Sequence, residues 1–400
     1  MSNTEVMFTS FEPGTVASAE TIPLCVPALG GNEWQYVKEC LDTNWVSSAG
    51  PFVDRFEEMV ATYVGGKHAT ATVNGTAALH IALLVAGIGS DDEVLLPALT
   101  FIAPANAVRY VGAWPVFIDV EPDYWQLDPS RVNDFLLREC RTVDGKLINA
   151  RSGRRVRAMM PVHILGHPCD MDSLMEIARR FDLLVIEDAT ESLGAKYKGR
   201  MIGTHGDISC FSFNGNKIIT TGGGGMVVTN RSDWGDKAKY LTTQAKDDPV
   251  EYVHTQVGYN YRLPNMQAAF GCAQMEVLDR FVDIKRRIAA NYTDALQGVP
   301  GISFMKEASW AISTFWLYTI LIDETTYGLS SRELLARLGQ HHIQARPLWQ
   351  PLHHSPAHAA SQSTSIHVAD KIHAAALSLP CSVGLTQNDQ SKVIEVIRAI

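Results

Sequence analysis

The chain has 400 residues, 46% of them apolar, and a formal net charge of −9. That length exceeds what one hydrophobic core usually supports, so a large and a small unit are expected. The scattered Lys and Arg residues of an acidic chain offer no footprint for nucleic acid or an anionic membrane surface.

Residues 1–20 read as an N-terminal arm, and Met1 to Ser10 lack the basic start and apolar stretch of a signal peptide. No apolar run is long enough to span a bilayer, so a cytoplasmic protein is expected. Apolar stretches of strand length then alternate with helix-like periodicity, the pattern of an α/β sheet wrapped by helices. Helices are predicted over 31–43, 53–64, 77–87, 104–110, 171–181 and 266–289, and strands over 93–96, 114–120, 156–162, 183–186 and 226–229. Residues 141–155, with Asp144-Gly145 and Ser152-Gly153, read as an exposed hairpin inserted between better-defined elements. After the long helix the pattern changes to a strand over 315–322, a helix over 331–339, an extended segment over 344–348 and a last helix, which is a small α+β unit. The seven cysteines are widely spaced with no C-x-x-C pair, so neither a disulfide framework nor structural zinc is expected.

The strand Leu183-Leu184-Val185-Ile186 ends in Glu187-Asp188, and ligands of open α/β sheets gather at such carboxyl ends. A Walker-B magnesium ligand would look the same, but the G-x-x-x-x-G-K-[ST] loop that must accompany it is absent. Lys217 follows another strand and precedes the run Gly222 to Gly225, where backbone or a ligand can approach closely. Alone, it reads better as an exposed loop lysine. Together the two residues suit pyridoxal phosphate (PLP), which needs a lysine for its aldehyde and a carboxylate against its pyridine nitrogen. Its phosphate would suit Asn74-Gly75-Thr76, which runs into a helix whose free N–H groups and dipole favour an anion, with Ser212 as a further hydroxyl. An ordinary helix cap at Thr76 is the competing reading.

Taken in order, Trp45 to Pro51, Asn74 to Leu79, Pro97 to Ala103, Glu187-Asp188-Ala189, Gly206 through Lys217, Gly222 to Val228 and Gly258-Tyr259-Asn260-Tyr261-Arg262 resemble the motifs of the DegT/StrS-type PLP-dependent sugar aminotransferases. The resemblance covers roughly residues 21–400. It implies the type I aminotransferase fold, with a large α/β domain on a mixed, mostly parallel sheet (21–280) and a smaller C-terminal α+β domain (281–400). It implies that Lys217 forms the Schiff base, that Asp188 pairs with the pyridine nitrogen, and that Gly75, Thr76 and Ser212 hold the phosphate. Phe101 matches the aromatic that stacks on the ring. Asn260 matches an asparagine reaching the phosphate of a neighbouring subunit, which implies a homodimer. Glu191 stands where many members carry Gln at the cofactor hydroxyl. Relatives acting as dehydratases replace the lysine with histidine, so Lys217 favours transamination. The segments Thr242 to Asp248 and Pro161 to Pro168 resemble enzymes that aminate C4 of UDP-linked 4-keto-6-deoxy-N-acetyl sugars, with glutamate as the implied donor.

His163 is expected as a pocket residue near the cofactor, and Arg346 as an arm for an anionic substrate or a plain surface arginine. A metal site at His163, His167, Cys169 and Asp170 is disfavoured because Gly166 and Pro168 break any helix that would align them. The pairs His341-His342 and His353-His354 read as surface or interface residues. Amination at C3 of a dTDP-sugar or of a keto-cyclitol remains open, as does a non-catalytic sensor, against which the lack of a basic DNA-binding segment counts.

Overall fold

The computed structural model describes residues 21–248 and 250–399; the N-terminal arm expected over 1–20 lies outside them. Its centre is a 10-stranded mixed sheet. Along the sheet run His68–Thr72, Gly225–Thr229, Ile208–Ser212, Leu184–Asp188, Arg155–Met159, Asp92–Pro97, Trp114–Ile118 and Gln362–Ser363. From Ile208–Ser212 onward these neighbours pair in parallel, while Gly225–Thr229 is antiparallel to both of its partners. The hairpin predicted over 141–155 is present as Cys140–Val143 and Lys146–Asn149, and the second strand joins the sheet by pairing Ile148 with Arg155.

The central strands Asp92–Pro97, Leu184–Asp188, Ile208–Ser212 and Gly225–Thr229 are buried on both faces, as the near-continuous apolar runs of central strands require. Helix Gly75–Val85 is buried along nearly its whole length against the sheet. Helix Pro51–Val64 starts with proline in its first turn, ends at Gly65 in the left-handed region (φ 76°), and buries Phe52, Phe56, Val60 and Val64 at helical spacing. Gly225 is required by close approach: a Cβ there would lie 2.4 Å from the Asn74 carbonyl oxygen. The glycine run thus lets two strand ends meet at the cavity described below.

A second, three-stranded antiparallel sheet of Ile302–Phe304, Tyr318–Ile322 and Ala376–Leu379 carries the C-terminal unit, with helices Leu278–Leu296, Ser331–Gln340 and Gln387–Arg398. Residues near 22 pack onto this unit: the Ile22 N–H donates to the His342 carbonyl and the Cys381 N–H to that of Leu24 (2.9 and 2.8 Å).

Two elements differ from expectation. The single helix predicted over 266–289 is broken into Asn265–Met275 and Leu278–Leu296, with Val277 between them at φ −116°, ψ 3°. Tertiary bonds override the helical pattern there: Gln274 donates to the Ala28 carbonyl (3.0 Å), and Glu276 accepts from Asn32, Tyr36 and Arg55 (2.8, 2.7 and 2.9 Å). The strand predicted from 315 begins at Tyr318, because Phe315 takes a left-handed φ of 49°. Among the described residues no helix is long and apolar enough to cross a membrane.

Candidate active site

A cavity of about 320 Å³ opens at the carboxyl ends of the central strands, where the two units meet. Asp188 is the last residue of its strand and lines this cavity, whereas Glu187, one position earlier, faces the other way as strand alternation demands. Their surroundings separate their chemistry. Glu187 accepts from the N–H groups of Gly203, His205 and Gly206 (3.2, 2.8 and 2.7 Å) and lies 3.3 Å from His163 Nε2. Burial would raise its pKa, but these partners outweigh burial and hold it low. The Asp188 carboxylate is held by Thr190, through its N–H (3.1 Å) and its side chain, and burial raises its pKa despite the offsets from Thr190 and Lys217. A carboxylate taken out of water costs several kcal/mol unless a cation faces it, so Asp188 is matched to a protonated ring nitrogen arriving from the cavity.

Lys217 enters from the loop after Ile208–Ser212. Its side chain is 14% exposed, its Nζ lies 3.6 Å from Glu191 Oε1, and it sits 3.9 Å from the centre of the Trp316 ring. Glu191 is fixed from its other oxygen by the Leu165 N–H (2.9 Å), and burial pushes its pKa up to about 7 against the pull of Lys217.

The third component is the start of helix Gly75–Val85. Asn74 caps it by accepting the Ala77 N–H (2.8 Å), which leaves the Gly75 and Thr76 N–H groups for an anion. A Cβ on Gly75 would lie 2.8 Å from Ser212 Cβ and 3.2 Å from Thr190 Cγ2, so these two side chains close the cradle and a larger residue would have to displace them. Free helix donors, a hydroxyl, an under-partnered buried acid and a lysine in one cavity fit the phosphate, ring nitrogen and aldehyde of PLP.

Of the residues expected from sequence, Gly75, Thr76, Phe101, Asp188, Glu191, Ser212 and Lys217 all line this cavity, Phe101 at 52% exposure. Asn260 does not; it lies exposed outside the cavity, beside Thr243. His163 corrects an expectation: it is fully buried and does not line the cavity. Its Nδ1 accepts the Cys169 N–H (3.0 Å) and its Nε2 faces Glu187, so it is spent on the strand behind Asp188. Arg346 does not line the cavity. Its backbone pairs with Ser378 at the edge of the small sheet (N–H to O 3.1 Å), and its exposed side chain donates to the Ala345 carbonyl (2.9 Å), as a surface arginine would. His353, expected at the surface, is half-buried against Asp370 (3.3 Å). The expected metal-ligand candidates spend their ring nitrogens on protein partners, His167 on the Pro168 carbonyl and the Ala308 N–H (2.7 and 3.0 Å).

Trp316 and Trp349 were missed. Both come from the C-terminal unit, their rings nearly parallel at 10° and 6.4 Å apart, and both line the cavity. The segment Arg346-Pro347-Leu348-Trp349 did signal that the site is reached from there, but through its tryptophan and not its arginine.

Fold and site together are those of a PLP-dependent aminotransferase. The model of the DegT/DnrJ/EryC1/StrS aminotransferase family matches residues 27–398, and the chain belongs to that family. It is 40% identical over 379 residues to the GDP-perosamine synthase of Caulobacter vibrioides (strain ATCC 19089 / CIP 103742 / CB 15), covering 94% of this chain and 97% of that protein. It is 41% identical over 338 residues to the GDP-perosamine synthase of Escherichia coli O157:H7, covering 84% and 87% of the two chains. The crystal structure of DesI in the presence of its TDP-sugar product superposes with a TM-score of 0.85 at 28% identity, covering 96% of this chain and 93% of that one. The protein is thus a PLP-dependent sugar aminotransferase.

Proposed function

We propose that the enzyme transfers an amino group from glutamate to the 4-keto carbon of a nucleotide-linked 6-deoxy sugar, in the cytoplasm, as a homodimer. The observation that carries the catalytic part is the convergence of Asp188 and Lys217 on one cavity beside a free helix start. The 4-keto assignment is supported by the relatives named for perosamine synthesis. Their GDP-linked sugar puts GDP beside the UDP expected from the motifs, so both are to be tested.

In this reading PLP, when bound, supplies an electron sink for the carbon that exchanges its amino group. Asp188 keeps the ring nitrogen protonated by offering it a carboxylate in a water-poor site. The Gly75 and Thr76 N–H groups and the Ser212 hydroxyl fix the phosphate, which sets the ring's position relative to Lys217. Lys217 Nζ would hold the aldehyde and, when free, would carry the proton at the substrate carbon. Glu191 would offer a carboxyl beside Lys217, and Phe101 an aromatic side chain for the ring. Trp316 and Trp349 from the 281–400 unit close the cavity over the 21–280 unit and exclude water. Asn260, exposed outside its own cavity, is proposed to reach the phosphate bound by a second copy.

The test is a panel of GDP-, UDP- and dTDP-linked 4-keto-6-deoxy sugars and a 3-keto analogue, each with glutamate as donor, with the aminated carbon located by NMR. Amination of a 4-keto sugar supports the reading; turnover of the 3-keto sugar or of a keto-cyclitol alone overturns it.

A further inference from the structure

Behind the cavity wall lies a second cluster that transamination does not use. Lys285, on helix Leu278–Leu296, is 2% exposed, yet it meets no carboxylate. Its Nζ donates to the carbonyls of Trp316 and Cys381 (2.7 and 2.8 Å), and two sulfurs complete its surroundings, Cys25 Sγ at 3.6 Å and Cys381 Sγ at 3.7 Å. The Cys381 N–H donates to the Leu24 carbonyl, so the two chain segments run side by side and bring both sulfurs to one ammonium. Cys25 is half-buried, while Cys381 is 1% exposed.

A cation beside a thiol favours the thiolate, which is the nucleophilic form. Here the Cys381 hydrogen bond, and after it the Lys285 ammonium, hold Cys25 below the ordinary thiol value against the opposing burial. The Cys25 bond and burial hold Cys381 well above that value. One sulfur is prepared to attack and the other to wait. Two buried groups and a half-buried thiol with this division of labour are more than packing needs, since a methionine or leucine would fill the place of Lys285 without an ammonium to satisfy.

We propose that Cys25, Lys285 and Cys381 form a peroxide-reactive dithiol site. The Cys25 thiolate attacks a hydroperoxide oxygen: an S–O bond forms, the O–O bond breaks, and the leaving hydroxide takes up a proton as water. Cys381 then displaces the sulfenic oxygen, forming the S–S bond and releasing a second water. Two thiols are oxidised and hydrogen peroxide is reduced to two waters. The site adjoins the catalytic loop, because the Asn216 carbonyl, next to Lys217, lies 3.4 Å from the Cys25 sulfur and accepts from Trp316 Nε1–H (2.7 Å).

The test treats the full-length protein with limiting hydrogen peroxide and maps thiols by peptide mass spectrometry. Half-buried Cys140, which burial pushes up to about 12, serves as the internal comparison. The proposal predicts a Cys25–Cys381 disulfide, reversed by dithiothreitol, while Cys140 stays free. In Cys381→Ser, a small change compatible with folding, dimedone should label Cys25 about tenfold faster than Cys140. Cys25 and Cys381 still free at doses that oxidise Cys140, or no dimedone adduct on Cys25 in Cys381→Ser, would overturn it.

Discussion

Two lysines withdrawn from solvent lie on either side of Trp316, and their surroundings differ in kind. Lys285 is saturated by two carbonyl oxygens and two sulfurs, so its charge acts on protein neighbours and meets no cavity. Lys217 has a carboxylate no nearer than 3.6 Å and an aromatic face, and its amine opens to the cavity. Burial alone therefore does not mark the lysine that takes a ligand. Incomplete satisfaction beside a cavity does, because donors that the protein leaves unspent are available to a partner arriving from outside.

The comparison breaks most plainly at Lys217. Lys217→Ala should lower turnover by about 10⁴-fold, through loss of both the covalent anchor and the proton carrier, while the thermal midpoint of the cofactor-free protein stays nearly unchanged. Lys285→Met should do the reverse. Leaving two buried carbonyls without a donor should cost about 2–5 kcal/mol of stability, read by denaturant unfolding, with residual activity in the folded fraction.

Glu191 sharpens the contrast through pH. Its folded pKa of about 7 lies above the usual carboxylate value of 4.5, so the folded state holds a proton that the unfolded state gives up between those limits. The cofactor-free protein should therefore lose about 3 kcal/mol of stability as pH rises from 4.5 to 7, with no further loss above. Burial raises Asp188 as well, which adds a slope of the same sign. Glu191→Gln should flatten most of this decline in thermal midpoints measured across that range. The smallest effect is expected at the anion cradle. Gly75→Ala places a Cβ 2.8 Å from Ser212 Cβ, and the resulting shift should weaken PLP binding about tenfold, read by fluorescence titration, without unfolding the chain.

Legibility followed locality. Asp188, Lys217 and the Asn74-Gly75-Thr76 turn were readable because each sits where a strand ends or a helix begins, and those boundaries are written in neighbouring residues. The sheet was readable from its apolar runs for the same reason. Trp316 and Trp349 were not, because only tertiary folding brings the C-terminal unit over a cavity built from residues 74–217. His163 failed as a pocket residue because the direction of a side chain is set by partners its own neighbours in sequence do not show, here the Cys169 N–H and Glu187. The break at Val277 carries no glycine or proline to announce it. It follows from bonds that Gln274 and Glu276 make to residues more than 200 positions away.

The most direct test of the central claim is to load the purified enzyme with PLP, reduce it with borohydride and map the pyridoxyl group by peptide mass spectrometry. The account predicts the label on Lys217 and on no other lysine, lost when the enzyme is first converted with glutamate. A label on Lys285 or on a surface lysine, or none on Lys217 in cofactor-saturated protein, would contradict it.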